Sequence, residues 1–233
     1  MNIVLTGAST GIGCETAKVL AANSDHKIIL IARNANKLDQ VKYQCKKINP
    51  NSNIITIPFD LSASDFNPLG DLLKTHLSSV NFLINNAGIL INKSFEETSY
   101  QDLFSTFNTN LFSVFKITQL LIPMFTNPSH IVNIGSMGGF QGSSKFIGLA
   151  AYSSSKAALA NFTECLAEEL KDKGINVNCL ALGSVQTDML NSVFPGYKAN
   201  VTAPEMARYI SEFTLYGHKF YNGKILPVSL NTI

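Results

Sequence analysis

The chain has 233 residues, of which 45% are hydrophobic and 15% charged, and its formal net charge is +2. This length and composition favour one folded α/β domain and exclude a disordered chain. The small net charge, with lysines and arginines spread along the sequence, argues against nucleic-acid binding.

Seven short apolar runs alternate with segments of helical period. The runs predict strands at Ile3–Thr6, Lys27–Ala32, Ile54–Pro58, Phe82–Asn85, Ile131–Gly135, Asn176–Leu180 and Lys224–Val228. The segments between them predict helices at Ile12–Ala22, Ala35–Ile48, Asp65–Leu77, Tyr100–Met124, Tyr152–Lys173 and Pro204–Leu215. Continuous apolar strands are typical of a parallel sheet that is covered on both faces, so the pattern predicts a doubly wound α/β sheet.

Three of the predicted helices carry end signals. Ser64 is the expected N-cap of the third helix, Gly174 follows the fifth in the C′ position, and Pro204 with Glu205 suits the first turn of the sixth. The least regular segment, Gly183–Thr202, predicts a substrate lid at about residues 184–202 within a single domain of residues 1–233.

The sequence lacks features that several classes of protein require. The four cysteines and four histidines form no C-x-x-C pair and no metal-ligand spacing, so we expect no metal site. Free, buried thiols in a reducing compartment are expected for Cys14, Cys45, Cys165 and Cys179. No signal peptide is evident, and no apolar run approaches the ~18 residues that span a bilayer, which predicts a cytoplasmic protein without a membrane partner.

The first strand leads directly into a glycine-rich turn, T-G-A-S-T-G-I-G, and then a helix. Glycines at Gly7, Gly11 and Gly13 allow a tight turn, close approach to a phosphate and close helix–strand packing. The helix N-terminus then presents N–H groups to an anion. A glycine-rich turn without a ligand is the alternative, but the strand–turn–helix context favours a nucleotide.

The G-x-x-x-G-x-G spacing, together with Y-S-S-S-K at Tyr152–Lys156, resembles the single-domain branch of the short-chain dehydrogenase/reductase family. This resemblance implies a Rossmann-type sheet that binds a nicotinamide dinucleotide. The implied cofactor contacts are Gly7, Ser9, Thr10, Gly11, Ile12, Gly13, Arg33, Asp60, Leu61, Asn86, Ala87, Gly88, Tyr152, Lys156, Gly183, Val185 and Thr187. In relatives, the position of Asp60 meets the adenine edge, and the Asn85–Gly88 segment supports the sheet beside the adenosine ribose.

Arg33 decides the expected choice of cofactor. It ends the second strand, where an acidic residue would bond the ribose hydroxyls of NAD. A guanidinium binds a 2′-phosphate bidentately, which favours NADP(H) over NAD(H). A plain surface arginine is the alternative, and Thr10 stands where many NADP-preferring relatives have a second cation.

Tyr152 and Lys156 lie four residues apart and therefore share one face of a helix. A nearby ammonium lowers the pKa of a phenol, which would make Tyr152 an acid in reduction and a base in oxidation. Such pairs also occur by chance on helix surfaces. The resemblance adds Ser136, which would bond the substrate carbonyl oxygen, and Asn110, which would hold a water that links the lysine to solvent.

These features predict an NADP(H)-dependent oxidoreductase that reversibly reduces a ketone or aldehyde, with Asn110, Ser136, Tyr152 and Lys156 as catalytic residues. One alternative is a cofactor-binding sensor or scaffold without turnover. Another is an epimerase or dehydratase on a nucleotide sugar, although the chain leaves little room for the second domain of those enzymes. Steroid, quinone, acyl thioester, pterin and diketone substrates all stay open.

The sequence departs from the family pattern at three places. Ser136 and Tyr152 are sixteen positions apart, about three more than in relatives, with the extra length around Gly142–Ile147. Leu182 replaces the usual proline before Gly183, which should loosen that turn. The C-terminal V-S-L-N-T-I lacks the family's Asp-Gly-Gly, although the resemblance still implies a homodimer or homotetramer through the helices of Asn110 and Tyr152.

The predicted lid suggests an apolar pocket wall. The apolar residues concerned are Met189, Leu190, Val193, Phe194, Pro195 and Tyr197, with Phe140 and Phe146 from the preceding loop. The alternative is that these side chains pack within the fold.

Overall fold

A parallel sheet forms the centre of the computed structural model, which describes residues 1–230. In this part of the chain the strands are β1 (Asn2–Thr6), β2 (Lys27–Ala32), β3 (Asn53–Pro58), β4 (Val80–Asn85), β5 (Phe125–Ser136), β6 (Asn176–Leu182), β7 (Val185–Gln186), β8 (Val201–Thr202) and β9 (Ile225–Val228). Seven of them make one sheet in the order β3-β2-β1-β4-β5-β6-β9, with every neighbouring pair parallel. The short strands β7 and β8 pair separately.

Helices cover both faces of this sheet. They are α1 (Gly11–Ala21), α2 (Ala35–Ile48), α3 (Asn67–His76), α4 (Tyr100–Phe107), α5 (Ser113–Leu121), α6 (Ala150–Glu169), α7 (Asp188–Val193) and α8 (Ala203–Tyr216). Apolar residues of α1, α2 and α8 pack in one core, and those of α3, α5 and α6 pack in the other. Because β4 is buried along its whole length, its side chains contribute to both cores. The predicted doubly wound sheet with seven strands is confirmed.

The predicted helix over Tyr100–Met124 is interrupted. A capping box between Ser99 and Asp102 starts α4, but a wide π-turn at Asn108–Phe112 separates it from α5. A 3-10 turn at Ile122–Met124 ends the segment. Such wide turns inside helices are rare and occur often at functional sites.

Two of the three predicted helix-end signals match the structure, and one does not. Gly174 has φ +67°, the left-handed conformation expected of a helix stop, and a capping box of Thr202 with Glu205 starts α8. The prediction for Ser64 was wrong, because α3 begins at Asn67, whose N–H donates to the Asp65 carboxylate. Proline in the first turn of α3 is the start signal that the prediction overlooked.

Three further expectations need revision or fall outside the described residues. Segment 183–202, expected to be irregular, contains α7 and the β7–β8 pair. Cys165 is exposed on α6, whereas the other three cysteines are buried as expected. The C-terminal departure from the family pattern ends in residues 231–233, outside the described residues. No helix within residues 1–230 has both the length and the apolar character needed to cross a bilayer.

His130 is a fully buried titratable group at the start of the apolar part of β5. Its Nδ1 donates to the Thr214 carbonyl at 3.1 Å, and its Nε2 accepts from the Asn178 amide at 2.9 Å. Burial lowers the pKa of His130 to about 4, although the Thr214 bond acts in the opposite direction. The imidazole is therefore neutral in the folded protein at physiological pH.

We expect His130 to make the protein less stable in acid. The unfolded chain takes up this proton near pH 6.5 but the folded chain only near pH 4, so stability is full above pH 6.5 and falls as the pH drops between these values. The loss between pH 7 and pH 4.5 should be about 2 kcal/mol, measured by urea unfolding at these two pH values. His130→Gln, which does not titrate, should show a shallower pH dependence; equal slopes for both proteins would contradict the assignment.

Candidate active site

A cleft of about 1090 Å³ lies at the carboxyl edge of the sheet. It crosses the point between β1 and β4, where the strand order reverses and where open α/β sheets bind ligands. Nearly all the residues that the sequence singled out line it. These are Gly7, Ser9, Thr10, Gly11, Ile12, Arg33, Asp60, Leu61, Asn86, Ala87, Gly88, Ser136, Tyr152, Lys156, Gly183, Val185 and Thr187. Gly13 and Asn110 do not line the cleft, but each contacts a residue that does.

The glycine loop is packed against the end of β4. Gly7 has φ +65°, and a Cβ on it would lie 2.7 Å from the Ala87 Cα. A Cβ on Gly13 would lie 2.3 Å from the Gly7 carbonyl oxygen. Gly11, with φ +55°, has only the Thr187 side chain within 4 Å of such a Cβ. Gly7 and Gly13 are thus required by close backbone packing, whereas Gly11 leaves open space on the cleft side.

Asn86 holds this loop in place. Its Nδ2 donates to the carbonyl oxygens of Thr6 and Gly7, both at 3.1 Å. In return, the Thr6 hydroxyl accepts from the backbone N–H groups of Asn86 and Ala87 at 3.0 and 3.1 Å. The Asn85–Gly88 segment therefore supports the glycine loop directly, a role beyond the one that the resemblance implied.

Two cations lie at the end of the cleft beside β2. Arg33 and Lys37 are both exposed and line the cleft, with Asn34 between them as the N-cap of α2. Sequence reasoning missed Lys37, although its position one helical turn after Arg33 could have indicated it. Asp60 lies nearby; burial would raise its pKa, but two hydrogen bonds from Ser62 and the charge of Arg33 hold that pKa below its ordinary value.

Ser136, Tyr152 and Lys156 meet on the floor of the cleft. Ser136 ends β5, and its hydroxyl accepts from the Gly138 N–H at 3.1 Å. A Cβ on Gly138 would lie 3.4 Å from this hydroxyl and 3.9 Å from the Tyr152 ring, so both side chains border the same glycine. Tyr152 lies in the first turn of α6, and Lys156 follows one turn later. The buried Lys156 ammonium donates to the Ile134 carbonyl at 2.8 Å and lies 5.9 Å from the centroid of the Tyr152 ring.

Burial governs the electrostatics of this group. It raises the pKa of Tyr152, and the neighbouring Ser136 hydroxyl acts in the other direction. It lowers the pKa of Lys156 to about 8. The expected lowering of the tyrosine pKa by the lysine is therefore not realised in the protein alone, because desolvation of the phenolate outweighs an ammonium that is bonded to a carbonyl instead.

Asn110 lies in the π-turn and is fully buried. Its Oδ1 accepts from the Ile89 N–H at 2.8 Å, and its Nδ2 donates to the Ile89 carbonyl at 3.0 Å and the Ser155 hydroxyl at 2.9 Å. A Cβ on Gly88 would lie 3.2 Å from this Oδ1 and 3.5 Å from the Lys156 ammonium. The asparagine side chain thus ties the segment after β4 to α6, directly beside the lysine.

The segment after β6 is held without the usual proline. The Gly183 N–H donates to the Val228 carbonyl at 2.9 Å, and a Cβ on Gly183 would lie 2.4 Å from the Ser229 hydroxyl. Further along, the Thr187 hydroxyl accepts from the Leu190 N–H and caps α7. Contact with β9 therefore fixes the turn that the sequence suggested would be loose.

Of the apolar residues expected in the pocket wall, five line the cleft: Phe146, Met189, Leu190, Phe194 and Tyr197. Phe140, Val193 and Pro195 are not among the lining residues, so the expectation was wrong for these three.

Comparison with known proteins identifies the family. Residues 1–198 match the family model of the short chain dehydrogenases. The chain belongs to the short-chain dehydrogenase/reductase family. It is similar to the ketoacyl reductase HetN of Nostoc sp., with 33% identity over 210 residues, 88% of this chain and 69% of that protein. It is also similar to an NADP-dependent 3-hydroxy acid dehydrogenase of Schizosaccharomyces pombe, with 29% identity over 84% of this chain and 76% of the relative.

A solved structure agrees with this assignment. A short-chain dehydrogenase from Burkholderia cenocepacia in complex with NADP superposes with a TM-score of 0.85 at 25% identity, covering 97% of this chain and 95% of the other. The chain is thus a short-chain dehydrogenase/reductase, from an oxidoreductase family that binds NAD(P)(H) and acts on small molecules. Its own residues fit a dinucleotide, because Gly11 leaves the loop open toward the cleft and α1 begins there.

For this short-chain dehydrogenase/reductase we expect Asn86→Ala to weaken dinucleotide binding about tenfold, because the carbonyls of Thr6 and Gly7 lose the side chain that fixes the loop. Calorimetric titration with NADP⁺ measures the effect, and the melting temperature reports the fold. The exposed Asn51→Ala is the matched control. Unchanged affinity in Asn86→Ala would show that the loop holds its shape without this amide.

Proposed function

We propose that this protein is an NADP(H)-dependent carbonyl reductase that reversibly converts a ketone or aldehyde to an alcohol. One observation carries the proposal. The side chains of Ser136 and Tyr152 and the buried Lys156 ammonium come together in the cleft that also contains the glycine loop. A protein that only binds a dinucleotide does not need this arrangement.

Each of the three side chains has a proposed task. A bound nicotinamide dinucleotide supplies the hydride that the carbonyl carbon accepts. The Tyr152 hydroxyl gives its proton to the carbonyl oxygen, so that a C–H and an O–H bond form and the carbonyl becomes an alcohol. The Ser136 hydroxyl donates to the same oxygen and orients it. Lys156 stabilises the phenolate that is left, and Asn110 acts as a positioning residue through Ile89 and Ser155.

The electrostatics favour starting from the protonated tyrosine. Because burial raises the pKa of Tyr152, its hydroxyl keeps its proton at neutral pH. It is therefore ready to act as an acid, which is the role required for reduction. The reverse reaction needs the phenolate, which the protein alone disfavours.

The proposed preference for NADP(H) rests on the cations beside β2. Arg33 and Lys37 can both reach a ligand in the cleft, and β2 ends without a carboxylate that could bond ribose hydroxyls. The Asp60 carboxylate already accepts two hydrogen bonds from Ser62. A 2′-phosphate suits this charge distribution better than two free hydroxyls.

We also propose that residues 1–233 form one domain and that segment 184–202 is its substrate lid. Assembly as a homodimer or homotetramer through α4–α6 is supported by large exposed side chains on these helices and the π-turn. These side chains are Tyr100, Leu103, Phe104, Phe112 and Phe115. Phe115 also stacks on Phe162 of α6 at 3.8 Å between ring centroids, so the apolar surface continues across both helices.

Tyr152→Phe should reduce kcat at least a hundredfold, because the substitution removes the proton donor and leaves the ring in place. NADPH absorbance with a panel of diketones, quinones and aromatic aldehydes measures the rate, and calorimetry should show dinucleotide affinity within twofold of wild type. The exposed Tyr43→Phe is the control. Full turnover in Tyr152→Phe would exclude the proposed acid, and tight NADPH binding without turnover of any carbonyl in wild type would favour a binding protein.

Arg33→Ala and Lys37→Ala should each weaken NADP⁺ binding about tenfold, because each removes a charged hydrogen-bond donor from the 2′-phosphate. Binding of NAD⁺, which lacks that phosphate, should change less than twofold. The two dissociation constants for each variant test this, with the exposed Lys47→Ala on the same helix as control. Equal losses for both dinucleotides would place these cations elsewhere on the ligand.

A further inference from the structure

Three segments meet beyond Tyr152, over the half of the cleft away from Arg33. They are the segment that follows β4, the loop before α6 that contains the extra residues, and the end of α7. The Lys93 N–H donates to the Gly148 carbonyl at 3.1 Å, and the Asn92 amide donates to the Val193 carbonyl at 3.5 Å. A Cβ on Gly148, which has φ +84°, would lie 1.9 Å from the Asn92 Oδ1. Asn92 therefore contacts both of the other segments.

Two aromatic rings meet across this half of the cleft. Phe146 comes from the extra residues before α6, and Phe194 follows α7 directly. Their centroids are 6.0 Å apart with an interplanar angle of 62°, an edge-to-face arrangement. Both rings line the cleft, and Phe146 is still 56% exposed. The extra loop thus provides one wall of the pocket and the proposed lid provides the opposite wall.

The cleft lining also includes the apolar residues Leu90, Met137, Leu149, Met189 and Leu190, and Ser184 and Tyr197, whose hydroxyls are bonded to each other at 3.1 Å. The cations among the residues that line the cleft in the described chain are Arg33, Lys37 and Lys156; the first two lie at the other end, and the third is bonded to Ile134. Asp188 also lines the cleft, and the Lys145 ammonium is bonded within its own loop to Phe140 and Ser143. Lys198 is exposed but is not among the lining residues, so an anionic substrate would find no lining cation other than these three.

We infer that the substrate is an uncharged ketone with a bulky apolar group, such as an aryl ring, which lies between Phe146 and Phe194 with its carbonyl at Ser136 and Tyr152. This inference rests on the proposed carbonyl reduction and goes further by naming the substrate class. A ring in this position buries apolar surface that a small ketone cannot bury. A carboxylate in its place would lose hydration without gaining a partner.

Three vicinal carbonyl compounds separate size from charge when kcat/KM is measured with saturating NADPH. 1-Phenyl-1,2-propanedione should exceed 2,3-butanedione at least about tenfold, because it fills the apolar half, and should also exceed phenylglyoxylate, which keeps the ring but adds a carboxylate. Phe146→Ala and Phe194→Ala should each lower kcat/KM for the phenyl diketone about tenfold and leave butanedione within twofold. Phe220→Ala, an exposed aromatic outside the cleft lining, should leave all three unchanged.

Binding to the Tyr152→Phe protein loaded with NADPH tests the same inference without turnover. Calorimetry should show the phenyl diketone binding about tenfold more tightly than butanedione, with the difference lost in the added Phe146→Ala variant. If this difference is present but wild type reduces neither ketone, the proposed function fails and the apolar site stands. If phenylglyoxylate or acetoacetyl-CoA is preferred, or if both ring variants affect large and small ketones equally, the inferred substrate class is overturned.

Discussion

The close packing of the glycine loop on the end of β4 is the constraint on which the site depends. Gly13 lies against the Gly7 carbonyl, and Gly7 lies against Ala87, with no room for a Cβ at either glycine. The same short stretch carries four hydrogen bonds between Thr6–Gly7 and Asn86–Ala87. The two loops that lie on either side of the point where the strand order reverses therefore form one rigid unit, so the glycine loop cannot shift independently of the sheet.

This unit is also connected to the helix that carries Tyr152 and Lys156. The chain continues from Ala87 through Gly88, which lies beside the Lys156 ammonium, to Ile89, whose peptide groups are both bonded by Asn110. Asn110 in turn bonds Ser155, the residue before Lys156 on α6. A continuous series of contacts thus joins the glycine loop to the helix of Tyr152. Asn110 lies in the π-turn and is fully buried, so the break in the helix coincides with the residue that makes these bonds.

Much of this architecture could be predicted from sequence patterns whose cause is local. Apolar runs gave every strand of the large sheet, and β2 and α2 match the predicted bounds because Asn34 and the flanking polar residues end these elements locally. The first half of β5 was not predicted, because Phe125–His130 is largely polar. Its position depends on pairing with β4, which is a non-local cause. The break before α5 and the contact of Phe146 with Phe194 likewise depend on tertiary neighbours.

The residues of the candidate site could be predicted from the sequence, but the directions of their pKa shifts could not. The i,i+4 spacing of Tyr152 and Lys156 predicts that they share a helix face, yet it contains no information on burial, which determines the direction of both pKa shifts. Lys37 was overlooked because its proposed role in binding an anion depends on Arg33 lying beside it in the cleft. In the folded chain the exposed cations Arg33 and Lys37 both line the end of the cleft beside β2, whereas the Lys156 ammonium is buried and bonded to the Ile134 carbonyl. The two exposed charges attract an anionic group to that end of the cleft, an asymmetry that arises only when the tertiary structure brings these residues together.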